Sequence, residues 1–183
     1  MRVVSGKYGG RRLNTPKNNA IRPTSDKVRQ AIFNSLHSRG VVDKSTVLDA
    51  FCGSGALGIE ALSQGAGHCI FIDKNTTSIN LTKDNINMIG AENQSDFIVA
   101  DSTKLKTRGE KYKAASLVFL DPPYNKNMIE PTVDALINGD WLLPSCLFVI
   151  ETGKSESISI SKLEILGEKN YGDTLITYAQ AKL

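Results

Sequence analysis

The chain has 183 residues, of which 40% are apolar and 22% charged, enough for one domain with a substantial core. No apolar run approaches the roughly 18–20 residues of a membrane-spanning helix, and the opening MRVVSGKYGGRR lacks the apolar core of a secretory signal. Cys52, Cys69 and Cys146 are far apart and form no CxxC pair, which argues against a disulfide framework or a structural zinc site and for a reducing cytoplasm.

The net charge of +3 conceals an asymmetry: residues 1–30 carry eight bases and one acid, a balance of +7, and the other 153 residues a balance of −4. A basic arm on a mildly acidic body points to a polyanionic partner, although a merely solvated basic face has the same composition.

In chain order, Arg2-Val3-Val4 and Arg11-Arg12-Leu13 flank a turn containing Gly6, Gly9 and Gly10, the pattern of a short hairpin. Pro16 and Pro23 bound a loop. Thr24 or Ser25 then caps a helix with Val28, Ala31, Ile32 and Leu36 on one face. After Gly40 buried strands alternate with helices. Strands are predicted at 46–51, 68–73, 97–100, 117–121 and 147–151, and helices at about 56–64, 76–88 and 128–137. The β-prone runs 162–169 and 174–182, around Asn170-Tyr171-Gly172-Asp173, predict a terminal antiparallel hairpin. The fold class is therefore α/β: a mostly parallel sheet covered by helices on both faces, with an antiparallel edge. Residues 1–40 form a basic extension and residues 41–183 the main domain. Ligands in such sheets bind beyond the carboxyl ends of the strands, here after Phe51, Asp73, Ala100 and Asp121.

Two constellations stand at that edge. The first is Asp49-Ala50-Phe51-Cys52-Gly53-Ser54-Gly55-Ala56-Leu57-Gly58. Its glycines allow a tight turn and close approach of a ligand to the backbone. Gly53, Gly55 and Gly58 satisfy G-x-G-x-x-G, and Asp73 follows twenty residues after Gly53, placed to accept hydrogen bonds from ribose hydroxyls. The pattern suits an NAD-like dinucleotide or S-adenosylmethionine. Asp49 favours the latter, since a carboxylate would repel a pyrophosphate but suits the ammonium of a methionine group. Asp101 could accept from an adenine amine or simply cap the next turn.

The second is Asp121-Pro122-Pro123-Tyr124, after the strand Leu117-Val118-Phe119-Leu120. The prolines stiffen an extended turn and leave carbonyls without local partners. The Asp121 carboxylate and the Pro122 carbonyl can together accept both hydrogens of an exocyclic amine, and Tyr124 offers a face on which a base can stack. Elsewhere, Cys52 has no base beside it, His37 and His68 lack ligand-like spacing, Trp141 and Phe148 look like packing, and the basic run 104–113 is a surface loop that could meet RNA phosphates.

These residues resemble the S-adenosylmethionine-dependent amino-methyltransferases, and one branch closely: the RsmD family, which methylates guanine N2 at the nucleotide conventionally numbered 966 of 16S ribosomal RNA. The branch resemblance lies in Arg2-Val3-Val4-Ser5-Gly6, Gly10-Arg11-Arg12-Leu13, Arg22-Pro23-Thr24, the stretch from Asp26 to Asn34 and the stretch from Gly53 to Ser63. It implies a methyltransferase-type Rossmann fold with a seven-stranded sheet. Asp49, Phe51, Gly53, Ser54 and Gly55 would line the methionine part of S-adenosylmethionine, Asp73 the ribose and Asp101 the adenine. Asp121, Pro122 and Tyr124 would hold the target base, and Arg2, Arg11, Arg12, Arg22 and Arg29 the RNA. The implied partner is 16S rRNA in the small subunit or an assembly intermediate, and the implied enzyme is a cytoplasmic monomer using neither metal nor membrane. A DNA or other RNA amino-methyltransferase acting on adenine N6 or cytosine N4 shares the second motif, and an NAD(P)-dependent oxidoreductase shares the first.

Overall fold

The computed structural model describes residues 1–16, 25–156 and 160–182. Arg22, Pro23 and Thr24 lie outside the described residues. Helix α1 spans Asp26–Ser38, with Ser25 as its N-cap accepting from Val28 N at 3.3 Å. There follow β1 (Thr46–Asp49), α2 (Ala56–Ser63), β2 (His68–Asp73), α3 (Thr76–Ile89), β3 (Ser95–Val99), β4 (Ala115–Leu120), α4 (Ile129–Asn138), β5 (Leu142–Gly153), β6 (Leu163–Tyr171) and β7 (Thr174–Ala181).

The strands form one sheet in the order β3-β2-β1-β4-β5-β7-β6. The five from β1 to β5 are parallel, and β7 returns antiparallel to both β5 and β6. The chain winds outward from β1 to β3, then crosses back to lay β4 on the other side of β1. That reversal opens the crevice between the ends of β1 and β4 where such folds take ligands. Alternation along the strands divides the core. Val47, Phe71 and Phe119 meet Ile32, Leu57 and Ile79 from α1, α2 and α3, whereas Leu48, Ile70 and Val118 meet Val133 and Leu136 from α4.

Two boundaries depart from the sequence pattern. β5 begins at Leu142, five residues early, because the register breaks between Ala115↔Leu142 and Leu117↔Leu147, and Ser145 takes φ 63° inside the bulge. β3 is shifted back to Ser95–Val99, paired from Cys69↔Ser95 to Asp73↔Val99.

The N-terminal hairpin forms, closed by an Arg2–Arg12 bridge and by Val3 N donating to Arg11 O at 2.9 Å. It lies across α2. The Glu60 carboxylate accepts from Val4 N at 2.7 Å and Ser5 N at 3.0 Å, and Ser63 Oγ accepts from Tyr8 N at 2.9 Å. Contact is so close that a Cβ on Gly6, at φ 81°, would sit 2.0 Å from Ser63 O. Val3, Tyr8 and Leu13 join the core cluster of α1, α2 and β1, so α2 is buried from Leu57 to Ser63 on every side.

Arg29 corrects an expectation. Its side chain is fully buried, with Nη2 donating to Arg2 O at 2.6 Å and to Asp26 Oδ1 at 2.8 Å. It is a strut between α1 and the hairpin and presents nothing to an RNA phosphate. Its place at spacing 29, 32, 33, 36 puts it on the buried stripe of α1.

Because Glu60 satisfies two backbone donors in a site closed to water, Glu60→Ala should lower stability by about 2–4 kcal/mol in urea unfolding. The first dozen residues should also become readily cleaved by protease. Unchanged stability and protection would show that the hairpin is held by its apolar contacts alone.

Candidate active site

The carboxyl ends of β3, β2, β1 and β4 place Asp101, Asp73, the glycine turn and Asp121 side by side, in that order, along one edge. The turn is built on two left-handed glycines, Gly53 (φ 55°) and Gly55 (φ 79°), and is tied to the sheet by Cys52 N donating to Ile72 O at 3.0 Å. The three motif glycines serve different ends. A Cβ on Gly55 would strike Thr82 Cγ2 at 2.6 Å, and one on Gly58 would strike Phe71 Cε1 at 2.3 Å and Cys69 Sγ at 2.6 Å. A Cβ on Gly53 would meet nothing nearer than Phe51 O at 4.0 Å. Gly55 and Gly58 therefore let protein pack on protein, while Gly53 leaves open space at the ligand edge.

Asp73 braces this turn: Oδ2 accepts from Gly53 N at 3.1 Å and Oδ1 from Asn75 N at 2.8 Å. Asp49 lies beneath it, buried, with Oδ2 accepting from Gly58 N at 3.0 Å. Burial pushes its carboxyl up to about 7, the Gly58 hydrogen bond works against that, and Asp73 adds repulsion. Asp49 thus faces α2 and holds the turn to the helix. Asp101 caps the single turn 102–104, Oδ1 accepting from Thr103 N at 3.0 Å and Thr103 Oγ1 at 2.7 Å, and these bonds hold its carboxyl below the usual value.

After β4, Pro122 is buried and Asp121 half-buried. The Tyr124 hydroxyl donates to Glu151 Oε1 at 3.0 Å and lies 3.5 Å from Thr174 Oγ1. Burial pushes the phenol up to about 12, so it stays a neutral donor at working pH. The ring edge lies against Gly153, where a Cβ would stand in ordinary contact, 3.5 Å from Tyr124 Cδ2. Neither Glu151 nor Thr174 stands in a sequence motif. The signal was available, because β5 neighbours β4 and its carboxyl end borders the same crevice.

The hairpin also reaches this edge. Asn85 Oδ1 accepts from Asn14 N at 2.8 Å, and Asn85 Nδ2 donates to Ser54 O at 2.8 Å, so one side chain joins arm and glycine turn. Arg2 and Arg12 are exposed, Arg2 beside Asp26 at 3.3 Å. Arg11 is exposed too, donating to Met88 O at 3.2 Å and lying over the Tyr8 ring. In the basic loop, Arg108 is occupied internally by Asp140 and Tyr112 O. All three cysteines are buried, and burial raises each thiol well above its ordinary value, which leaves no thiolate for nucleophilic chemistry. Among the described residues no His, Cys, Asp and Glu side chains cluster as metal ligands, and no helix is long and apolar enough to cross a membrane.

Strand order, the glycine turn and the proline turn define a Rossmann-like methyltransferase fold. The solved structure of yhhF from Escherichia coli superposes with a TM-score of 0.83 at 27% identity, covering 99% of this chain and 97% of that one. A family model described as Conserved hypothetical protein 95 matches residues 1–180. Ribosomal RNA small subunit methyltransferase D of Haemophilus influenzae is 32% identical over 174 residues, 94% of this chain and 89% of that protein. The protein of the same name from Escherichia coli is 32% identical over 152 residues, 83% and 74% of the two chains. The chain belongs to this family, the RsmD family, as the stretches between Arg2 and Ser63 suggested.

The buried Asp49 makes stability depend on pH. Its carboxyl titrates near 3.8 when unfolded and near 7 when folded, so between those values the folded state binds more proton and stability falls as pH rises. Asp49→Asn removes this dependence. The melting temperature of the variant should gain on that of the wild type as pH goes from 5 to 8, and a constant difference would contradict the buried carboxyl as its source.

Proposed function

We propose that this chain transfers a methyl group from S-adenosylmethionine to the exocyclic N2 amine of a guanine in 16S rRNA, at the nucleotide conventionally numbered 966. The substrate would be the small ribosomal subunit or an assembly intermediate of it. The observation that carries this reading is the Asp121–Tyr124 turn standing on the strand next to the glycine turn, in a member of the RsmD family. Family membership also favours S-adenosylmethionine over a dinucleotide for the shared glycine pattern.

The residues present fit the cofactor. The open space at Gly53 suits a ligand close against the backbone, and the Asp73 carboxylate stands beside it for ribose hydroxyls. Phe51, Gly53, Ser54 and Gly55 would line the methionine part with Asp49 beneath them, and Asp101 would mark the adenine end. Bound S-adenosylmethionine supplies an electrophilic methyl group on a sulfonium.

The chain's own work is then positioning and polarisation. A guanine amine is a poor nucleophile because its lone pair is delocalised into the ring. The Asp121 carboxylate and the Pro122 carbonyl accept hydrogen bonds from its two N–H groups, which localises the lone pair toward the methyl group, and the methylated nitrogen sheds one of the two protons to water. Tyr124 stacks on the extruded base, its ring fixed by the hydroxyl bond to Glu151. Arg2, Arg11 and Arg12 contact phosphates, which position the RNA without reading its sequence, and Arg22 in the same arm would join them.

Four substitutions at three positions test the assignment by tritiated-methyl incorporation beside calorimetric binding of the cofactor. Asp121→Ala should abolish transfer and leave S-adenosylmethionine affinity within about threefold, equivalent to less than 1 kcal/mol. Loss of both together would move Asp121 to the cofactor. Asp73→Ala should weaken cofactor binding by about 1.5–3 kcal/mol, the scale of charge-assisted hydrogen bonds. Tyr124→Phe should keep much of the activity and Tyr124→Ala little. Equal severe losses would assign the essential role to the hydroxyl.

The arm gives a separate test. Replacing Arg11 and Arg12 together by alanine should lower the log–log salt slope of RNA binding by roughly 1.4, at about 0.7 per phosphate contact. A fall in melting temperature with an unchanged slope would make these charges structural.

A further inference from the structure

A cavity of about 380 Å³ lies beside the proline turn, between residues 125–130, which lead into α4, and Thr152, Glu156 and Ile160 at and beyond the end of β5. Pro122 and Tyr124 form the wall it shares with the proposed base site. Asn125, Lys126 and Asn127 continue that wall, and Thr152 belongs to the opposite one. Neither Asp121 nor any residue of the glycine turn lines it, so it is not the place where an amine meets a methyl donor. It is the next compartment along.

Its walls are built and polar. Glu156 clasps the two segments together, Oε1 accepting from Asn125 N and Oε2 from Gly153 N at 3.0 Å. With both oxygens engaged, Glu156 acts as a brace. Thr152 is 1% exposed, and its Oγ1 has no hydrogen-bond partner among the described residues. A buried hydroxyl left unpaired is costly, and a site that pairs it on binding recovers that cost. Asn125 and Asn127 both hold left-handed backbone, φ 58° and 49°, and both side chains are exposed. An asparagine amide offers a donor and an acceptor together, the combination that reads the edge of a nucleobase. Lys126 between them is an exposed cation suited to a phosphate.

We infer that this cavity is a second nucleotide site, taking the nucleotide that adjoins the target guanine in the RNA chain. The inference rests on the proposed function and extends it. A base drawn out of its stack onto Tyr124 carries its neighbours with it, and the compartment sharing Tyr124 and Pro122 is where a neighbour arrives. Single-stranded RNA is recognised in this way, by splayed bases held one at a time in adjoining pockets. Asn125 and Asn127 read the base edge, the Thr152 hydroxyl completes the set, and Lys126 holds the phosphate between the two nucleotides.

The test couples a protein change to an RNA change. Glycine at 125 and 127 keeps the left-handed backbone and removes only the amides, so Asn125→Gly/Asn127→Gly should fold as the wild type does. Thr152→Val keeps the shape and removes the hydroxyl. The RNA is 16S rRNA assembled into a small-subunit particle, with the target guanine's neighbours either intact or replaced by an abasic nucleotide immediately 5′ or 3′ of it. For the wild type, one of the two abasic substitutions should raise KM by about 10-fold, the scale of one held base. The double glycine variant and Thr152→Val should have raised KM on the intact RNA and lose most of that sensitivity. A wild type indifferent to both abasic positions would overturn the inference, as would variants fully as sensitive as the wild type. Methyl incorporation into intact RNA by the wild type reads the proposed function separately. Its absence sinks both readings, whereas incorporation without dependence on the neighbour sinks the second site alone.

Discussion

Helix α2 rests on the sheet with no side chain at Gly58 between them, against Phe71 and Cys69. That close approach sets the rest of the molecule. It brings Gly58 N to the carboxylate of Asp49 at the end of β1, and it fixes the height of the turn from Phe51 to Gly55 above the sheet edge. The outer side of the same helix receives the hairpin, through Glu60 and Ser63, and so the arm and the glycine turn share one rigid support. Any side chain at position 58 would lift the helix and move both together.

The arm is consequently no independent appendage. Asn85 ties Asn14 to the carbonyl of Ser54, and Arg29 reaches from α1 to the carbonyl of Arg2. The basic arm and the glycine turn are thus held in fixed relation by hydrogen bonds between different segments. On the other side of the crevice, Glu151 from β5 and Thr174 from β7 fix the phenol of Tyr124. The antiparallel hairpin at the end of the chain therefore has a role at the site, because it carries Thr174 to the edge of β5.

The alternation of apolar runs with helical stripes was enough to place every strand of the parallel sheet and the terminal hairpin. Positions after Asp49 and Leu120 were legible because a glycine turn and a proline turn follow buried strands there, and Asp73 because it ends the next strand twenty residues past Gly53. Three features escaped for physical reasons. The bulge at the start of β5 hides behind Pro144 and the left-handed Ser145, which read as a loop. Arg29 counted as surface charge, although its spacing with Ile32, Phe33 and Leu36 places it on the buried face, where a carbonyl and a carboxylate meet its guanidinium. The role of Glu60 is invisible in the sequence, since nothing local tells that a hairpin fifty-five residues earlier brings two backbone donors to it.

The central claim is that the row of groups from Asp101 to Tyr124 methylates one guanine amine of 16S rRNA. Mass-spectrometric mapping of 16S rRNA from cells with and without this gene tests it most directly. The account predicts N2-methylguanine at the nucleotide numbered 966 in the parent, its absence in the deletion, and its return with the wild-type gene but not with Asp121→Ala. Methylation that persists at that nucleotide in the deletion, or that disappears from a different base, would contradict it.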